Sequence, residues 1–526
     1  MRSRPSRAIF CLVLVLTLSA VLGGLFGGQV RATPKGEEDV DNSLKLFSSL
    51  LGLVEENYAT QVDPDKAVYG AIDGMLRTLD PHSKFFDPKA FTSLREDQRG
   101  KYYGMGITVT TRFGKVTVVS PPFMGSPAEK VGLRVGDIIS HVNGEPTDGM
   151  DLNAVVSKLK GPRGTTVNIR VLRPGVEEPM EMAVIRDEIA KYTINNTFLI
   201  RPRVGYIKLE SFAETTGAEL RDALKKLDVK NLDGLVFDLR GNPGGLLQEA
   251  IEVGETFLQK GQMIVETRGR TRGSSRPYAS QKLNTDNLFP LVVLINSSSA
   301  SASEIVAGAL QDHDRALIVG QTSFGKGLVQ SVYPLSKNAG LALTTQKWYT
   351  PSGRLIQRDY SQISQFDYYN HREATPPKRD DIKHSDIGRI VYGGGGVTPD
   401  YVVEDQKPND FQDLIVKRFG FYTFVRDFLA KNPPLEQPFQ VSDALLEEFK
   451  QHITKRGIQF TEQDFQDNKD HLKRMIRYEV VYNRFGVSDA QRVLLDRDPQ
   501  VLKAIEFIPE AKDLASKARR QLADRR

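Results

Sequence analysis

The chain has 526 residues, enough for three or four domains at roughly 150 residues each. At 40% hydrophobic and 26% charged it has a globular composition, which excludes a disordered chain and a multi-span membrane protein. Its 71 Lys+Arg against 66 Asp+Glu leave a net charge of +5, too dilute for a nucleic-acid binder, and its one cysteine, Cys11, excludes an internal disulfide or a cysteine-rich zinc module.

Arg2, Arg4 and Arg7 precede a run from Ala8 to Val30 that carries no charge. A basic head before an apolar stretch is the pattern of an export signal. At 1.5 Å per residue the run would cover about 35 Å, so residues 1–32 read either as a cleaved signal peptide or as a retained membrane anchor. In both cases the positive head sends the rest of the chain out of the cytoplasm, to the periplasm or cell envelope. Cleavage would leave no cysteine, and hence no thiol catalysis.

Residues 40–100 read as a helical region. Leu46, Leu50, Leu53 and Val54 recur at helical spacing, as do Val68, Ile72, Met75 and Leu76 in a second helix from Asp65 to Leu79. Asp80-Pro81-His82-Ser83 stops that helix. From Lys101 the texture is β-like, with a hairpin around Phe113-Gly114, the run Gly125-Ser126-Pro127-Ala128, and a tight turn at Asn143-Gly144. This segment, 101–187, resembles a PDZ domain. Tyr103, Gly104, Met105, Gly106 and Ile107 occupy the position of the PDZ loop that holds a peptide's terminal carboxylate.

Residues 188–405 alternate strand and helix. Gly234–Asp238 and Leu291–Ile295 are apolar runs typical of buried strands, followed by helices Leu246–Gln259 and Ala302–Gln311. Residues 406–526 are charged and helix-forming. Phe411–Leu429 and Ser442–Ile453 are amphipathic, and Ala511–Arg526 is a polar, basic end.

Ser301 stands between a buried strand and a helix. There, free N–H groups and the helix dipole favour a developing negative charge. The same residue opens Ser301-Ala302-Ser303-Glu304, a capping box, so local sequence leaves nucleophile and plain helix cap both open. Of seven histidines only His313 is close in sequence, at the far end of the same helix. A histidine base is therefore poorly supported. Lys326, in Phe324-Gly325-Lys326-Gly327, is the other candidate base, provided that burial lowers its pKa. Gly320–Lys326 imitates a phosphate-binding loop, but Gly327 replaces the Ser or Thr that Mg²⁺ needs and a β-like stretch follows, so no nucleotide is expected.

Taken in order, these features resemble the carboxy-terminal processing proteases, PDZ-containing serine peptidases. The resemblance rests on Asp73-Gly74-Met75-Leu76, Asp238-Leu239-Arg240-Gly241-Asn242-Pro243-Gly244-Gly245, Ser299 to Glu304, Phe324 to Gly327, Thr350-Pro351-Ser352-Gly353 and Gly396-Val397-Thr398-Pro399-Asp400. It implies a multidomain α/β protein: a mixed α/β protease core, a β-rich PDZ domain, an N-terminal helical region and a C-terminal helical extension. It makes Ser301 the nucleophile, Lys326 the general base and Gln330 the residue that orients it. Backbone N–H groups of Ala302 and Gly244 become the oxyanion hole. No metal or cofactor is implied. The partners would be proteins or peptides with free C-termini, bound by the PDZ domain. Residues 406–526 lie outside the resemblance and read as a solvated helical extension, an assembly surface or an adaptor dock. The rival reading is a catalytically silent PDZ scaffold or chaperone.

Overall fold

The computed structural model describes residues 35–283, 289–361, 363–370, 381–432 and 438–524. Residues 1–32, read as a signal peptide or anchor, lie outside the described residues, and among those described no helix is long and apolar enough to cross a membrane. The chain forms two units, one ending at Thr78 and one beginning at Leu79. The first contains helices Lys35–Asn57 and Pro64–Arg77. Asp63 starts the second of these by accepting from the N–H groups of Asp65 and Lys66.

The rest of the expected 40–100 helical region belongs to the second unit and is not all helix. After the Asp80-Pro81 break come a strand, Lys84–Phe86, and a helix, Pro88–Arg99. The strand pairs with Gly340–Tyr349, a partner that local periodicity cannot announce.

The PDZ-like region is a sheet of short antiparallel strands with helices Pro127–Lys130 and Leu152–Leu159. Phe113 and Gly114 both have positive φ, 51° and 74°, in the turn between Val109–Arg112 and Lys115–Val118. Asn143 and Gly144 do the same after Ile138–Val142, as their sequence predicts. Val109–Arg112 ends the ordered sheet, which leaves a strand edge.

The protease-like core is built on a six-stranded sheet in the order Ile194–Arg201, Val204–Leu209, Gly234–Asp238, Leu291–Ile295, Leu317–Gly320, Tyr401–Val402. The first pair is antiparallel and the others are parallel. Alternate side chains divide between two faces. Leu235, Phe237, Leu291, Val293 and Ile295 pack on helices Thr216–Lys226, Leu247–Phe257 and Ala302–Asp312. Tyr206, Val236, Val292, Leu294 and Val319 pack on the opposite side against Val501, Ala504, Ile508, Ala511 and Leu514. These last belong to helices Pro499–Glu506 and Ile508–Asp524.

That second face corrects the reading of 406–526 as a solvated extension. Its final helices are the back layer of the core, and the basic end hides an apolar stripe at Ala511, Leu514 and Ala515. The preceding helices bury Phe411, Ile415, Phe449, Leu472 and Ile476 around a core of their own. The expected single helix Phe411–Leu429 is two, broken where Phe419 adopts φ 54° before Gly420. The PDZ hairpin rests on this region. Arg112 stacks 3.7 Å from the Tyr422 ring, and Phe113 meets Phe419 edge-on at 5.1 Å.

Candidate active site

The buried strand Leu291–Ile295 ends at a turn that holds itself by side chains. Asn296 Oδ1 accepts from the N–H of Ser298 and of Gly241, and Ser299 Oγ donates to the Leu239 carbonyl. Ser303 Oγ donates to the Asn242 carbonyl. The hydroxyls of Ser299 and Ser303 are thus committed to backbone.

Ser301 is different. It stands at φ 54°, ψ −112°, a conformation that a residue with Cβ rarely adopts. A capping serine is normally extended and accepts from the helix with its hydroxyl. Here the Glu304 N–H reaches the Ser301 carbonyl oxygen at 2.9 Å, while the Ser301 N–H donates to Glu304 Oε2 at 2.7 Å. A strained residue at a strand-to-helix turn presents its hydroxyl to the space above the sheet. That space is a cleft of about 750 Å³ whose lining includes Ser301, Ala302, Lys326, Gln330, Gly244 and His82.

Glu304, read from the sequence only as a cap partner, is fully buried and joins the two candidate segments. Besides Ser301 it accepts from the N–H of Gly325 at 2.6 Å, the N–H of Lys326 at 2.9 Å and the hydroxyl of Ser323 at 2.5 Å. Burial raises its carboxyl above the usual range, and those donors oppose the rise. Four donors on one buried carboxylate fix the Ser301 turn against the Lys326 loop.

Among the described residues no carboxylate forms an ion pair with the Lys326 amine. Burial holds it below its ordinary value, against the opposing pull of Glu304 and Asp80. The buried Trp348 closes the strand side, and its Nε1 donates to the Lys326 carbonyl at 3.0 Å. On the other side Phe324 packs with Ala300 and Tyr368. Gln330 lines the same cleft, and its Nε2 donates to Thr344 Oγ1 at 3.2 Å.

The Asp238–Gly245 turn forms the opposite wall. Burial would raise the Asp238 carboxyl, but Arg240 and Lys208 outweigh it and hold it below the usual carboxylate range. Arg240 also binds Asp498 Oδ2 and Gln500 Oε1, each at 2.8 Å, and so ties the turn to the back layer. Gly244 has φ 96°, and a Cβ there would stand 2.7 Å from the Ala300 carbonyl oxygen and 2.9 Å from the Ala302 nitrogen. Only glycine fits so close to the Ser301 turn. Its N–H, expected in an oxyanion hole, donates to Asn242 Oδ1 at 2.8 Å.

The PDZ loop lies apart from this cleft. Met105 is buried, and its carbonyl accepts from Ala128. Gly104 and Gly106 are buried beside it, Ile107 is half-buried, and Tyr103 is exposed. Gly106 needs its positive φ of 81°, because a Cβ would stand 2.4 Å from that of Ser126.

Three family profiles match in chain order: the N-terminal domain of the activating protease CtpB over residues 28–90, a PDZ domain over 118–173, and peptidase family S41 over 203–364. The chain is 41% identical over 329 residues to the carboxy-terminal-processing protease of Bartonella bacilliformis, spanning 62% of this chain and 75% of that protein. This chain belongs to the carboxy-terminal processing proteases. It is also 35% identical over 367 residues to the carboxy-terminal processing protease CtpB of Bacillus subtilis, spanning 68% and 76% of the two chains. Among solved structures it is similar to the photosystem II D1 C-terminal processing protease, at 27% identity over 68% of this chain and 92% of that one, with a TM-score of 0.35. Membership of this family makes the chain a serine peptidase.

Proposed function

We propose that this carboxy-terminal processing protease is an exported endopeptidase that cuts proteins near their C-termini with Ser301 as nucleophile and Lys326 as base. The observation that carries the reading is the Ser301 backbone: strained at positive φ and held by Glu304 against the lysine loop. The neutral Lys326 amine takes the Ser301 proton as Oγ attacks the peptide carbonyl. The Ala302 N–H, at the helix N-terminus, receives the oxyanion. Drawing a second donor from Gly244 requires its N–H to leave Asn242 Oδ1. The C–N bond then breaks, Lys326 returns the proton to the leaving amine, and water hydrolyses the ester. Gln330 holds the lysine side of the cleft. The PDZ domain, through Tyr103–Ile107 and the Val109–Arg112 edge, receives the substrate's free C-terminus. Export rests on the charge pattern of residues 1–32.

The test is cleavage of an unfolded exported protein, with a free or an amidated C-terminus, by wild type, Ser301→Ala and Lys326→Ala. Wild type cleaves and amidation slows it, while each substitution lowers kcat by about 10⁴-fold or more. Activity surviving in Ser301→Ala would overturn the nucleophile. Tail binding without cleavage by any form would favour a scaffold.

A further inference from the structure

His82 follows the proline that ends the N-terminal helical region, and as a sequence feature it marks only a helix stop. In the structure it is 8% exposed and lines the cleft that holds Ser301 and Lys326. Its turn is built to keep it there. Asp80 Oδ1 accepts from the N–H groups of His82 and Ser83 at 2.7 and 2.8 Å, and Oδ2 accepts from the Ser83 hydroxyl at 2.7 Å. Ser83 Oγ in turn accepts at 3.1 Å from the N–H of Thr344, the residue whose hydroxyl Gln330 binds.

Both ring nitrogens are engaged, and the bonds have a direction. The Tyr369 hydroxyl donates to the Pro81 carbonyl at 2.7 Å, so its oxygen accepts from His82 Nδ1 at 3.0 Å. With the proton on Nδ1, the lone pair of Nε2 accepts from the Tyr368 hydroxyl at 3.0 Å. The Tyr368 oxygen accepts from Gln357 Nε2 at 3.1 Å, and Gln357 Oε1 accepts from the Gly327 N–H at 2.8 Å. One directed chain therefore runs from the residue after the lysine, through Gln357 and Tyr368, to His82.

We infer that His82 is a positioning residue for Lys326: a neutral imidazole, locked in one tautomer by Tyr368 and Tyr369, that walls the amine off from water and from further charge. This rests on the reading of Lys326 as the base. The charged and titratable groups facing His82 are Lys326, Asp80, Arg358 and the two tyrosines, with Glu304 facing Lys326. Burial first, and the Lys326 charge second, push His82 down to about 3. Its lone pair is already spent on Tyr368, so it is not a second base for Ser301. A protonated ring would aim an N–H at the hydroxyl that donates to it and would place a second cation beside the amine.

The experiment compares full-length wild type, His82→Phe and Tyr368→Phe in two readouts over roughly pH 5–10. One is kcat and KM for peptide cleavage; the other is the rate of Ser301 labelling by a fluorophosphonate. Expected for His82→Phe is a kcat lower by about tenfold or more with little change in KM. The acid limb of both profiles should move to higher pH, because water re-enters beside Lys326. Tyr368→Phe removes the donor to Nε2, so a further acid limb from a now protonatable His82 should appear. An unmoved acid limb in His82→Phe would reduce His82 to a fold contact and overturn the inference. Loss of the acid limb altogether would make His82 the base and overturn it too. Undiminished labelling in Lys326→Ala would instead sink the underlying dyad while leaving the His82 profiles interpretable. In folded Ser301→Ala protein, the ring ¹⁵N shifts of His82 should report the Nδ1–H tautomer at pH values where free histidine is already charged; an imidazolium there overturns the inference.

Discussion

The two layers that sandwich the central sheet are built from the same apolar currency but do different things. The front layer, helices Thr216–Lys226, Leu247–Phe257 and Ala302–Asp312, surrounds a cleft and carries buried polar groups: Asn242, Ser303 and Glu304. The back layer, Pro499–Glu506 and Ile508–Asp524, meets the sheet mainly through Val501, Ala504, Ile508, Ala511 and Leu514. The front layer spends stability on strain at Ser301 and on a desolvated lysine. The back layer supplies stability without touching the cleft. A charged link between them is Arg240, which binds Asp238 on the turn that walls the cleft and Asp498 at the start of the back layer. A strained residue such as Ser301 needs a rigid frame beneath it, and this division provides it.

Removing the back layer breaks that comparison most severely. Deleting residues 498–526 uncovers Val236, Val292, Leu294 and Val319. Several side chains at roughly 1.5–3 kcal/mol each amount to the whole stability of an ordinary domain, about 5–15 kcal/mol. The expected result is loss of cooperative unfolding by calorimetry, even though the deletion leaves every cleft residue in place.

Acid sharpens the comparison from the front side. The native state holds His82 down to about 3, whereas free histidine titrates near 6.5. The unfolded chain therefore binds the extra proton first. The stability His82 contributes as a neutral ring is complete above pH 6.5 and is lost as pH falls towards 3. The loss approaches roughly 4 kcal/mol. Urea unfolding at several pH values should show a steeper acid decline in wild type than in His82→Gln. Equal slopes would contradict the burial of a neutral ring.

Cutting the link between the layers should cost less. Arg240→Ala leaves Asp238 in the interior with Lys208 as its remaining cation and the Tyr206 hydroxyl as a neutral donor, at about 3 kcal/mol. Asp498→Asn keeps the Arg240–Asp238 pair and should cost about 1 kcal/mol. The two costs, measured by denaturant unfolding, rank the inner contact above the outer one; the reverse order would show that the back-layer contact anchors the turn.

Much of the front of the molecule was legible from residues alone. Phe113-Gly114 and Asn143-Gly144 specify their turns because few residues tolerate positive φ at both positions. Gly234–Asp238 and Leu291–Ile295 read as buried strands because both of their faces are covered. The motifs also pointed to Ser301 and Lys326. What stayed hidden depended on partners far along the chain. Ser301-Ala302-Ser303-Glu304 reads as a plain capping box; the positive φ of Ser301 and the four donors on Glu304 appear only in the fold. His82 looked like punctuation because Tyr368 and Tyr369 lie nearly 290 positions away.

Local chemistry thus determined the element types, the tight turns, the export-like head and the residues able to carry acyl transfer. These follow from dihedral preference, apolar periodicity and functional-group identity, all encoded within a few neighbours. Tertiary structure alone decided that the charged C-terminal helices are the floor of the core. It also decided that a capping glutamate clamps the Ser301 and Lys326 segments together and that a helix-stopping histidine lines the same cleft as Lys326. Each of these is a matter of which desolvated group meets which partner, and that depends on how distant segments pack.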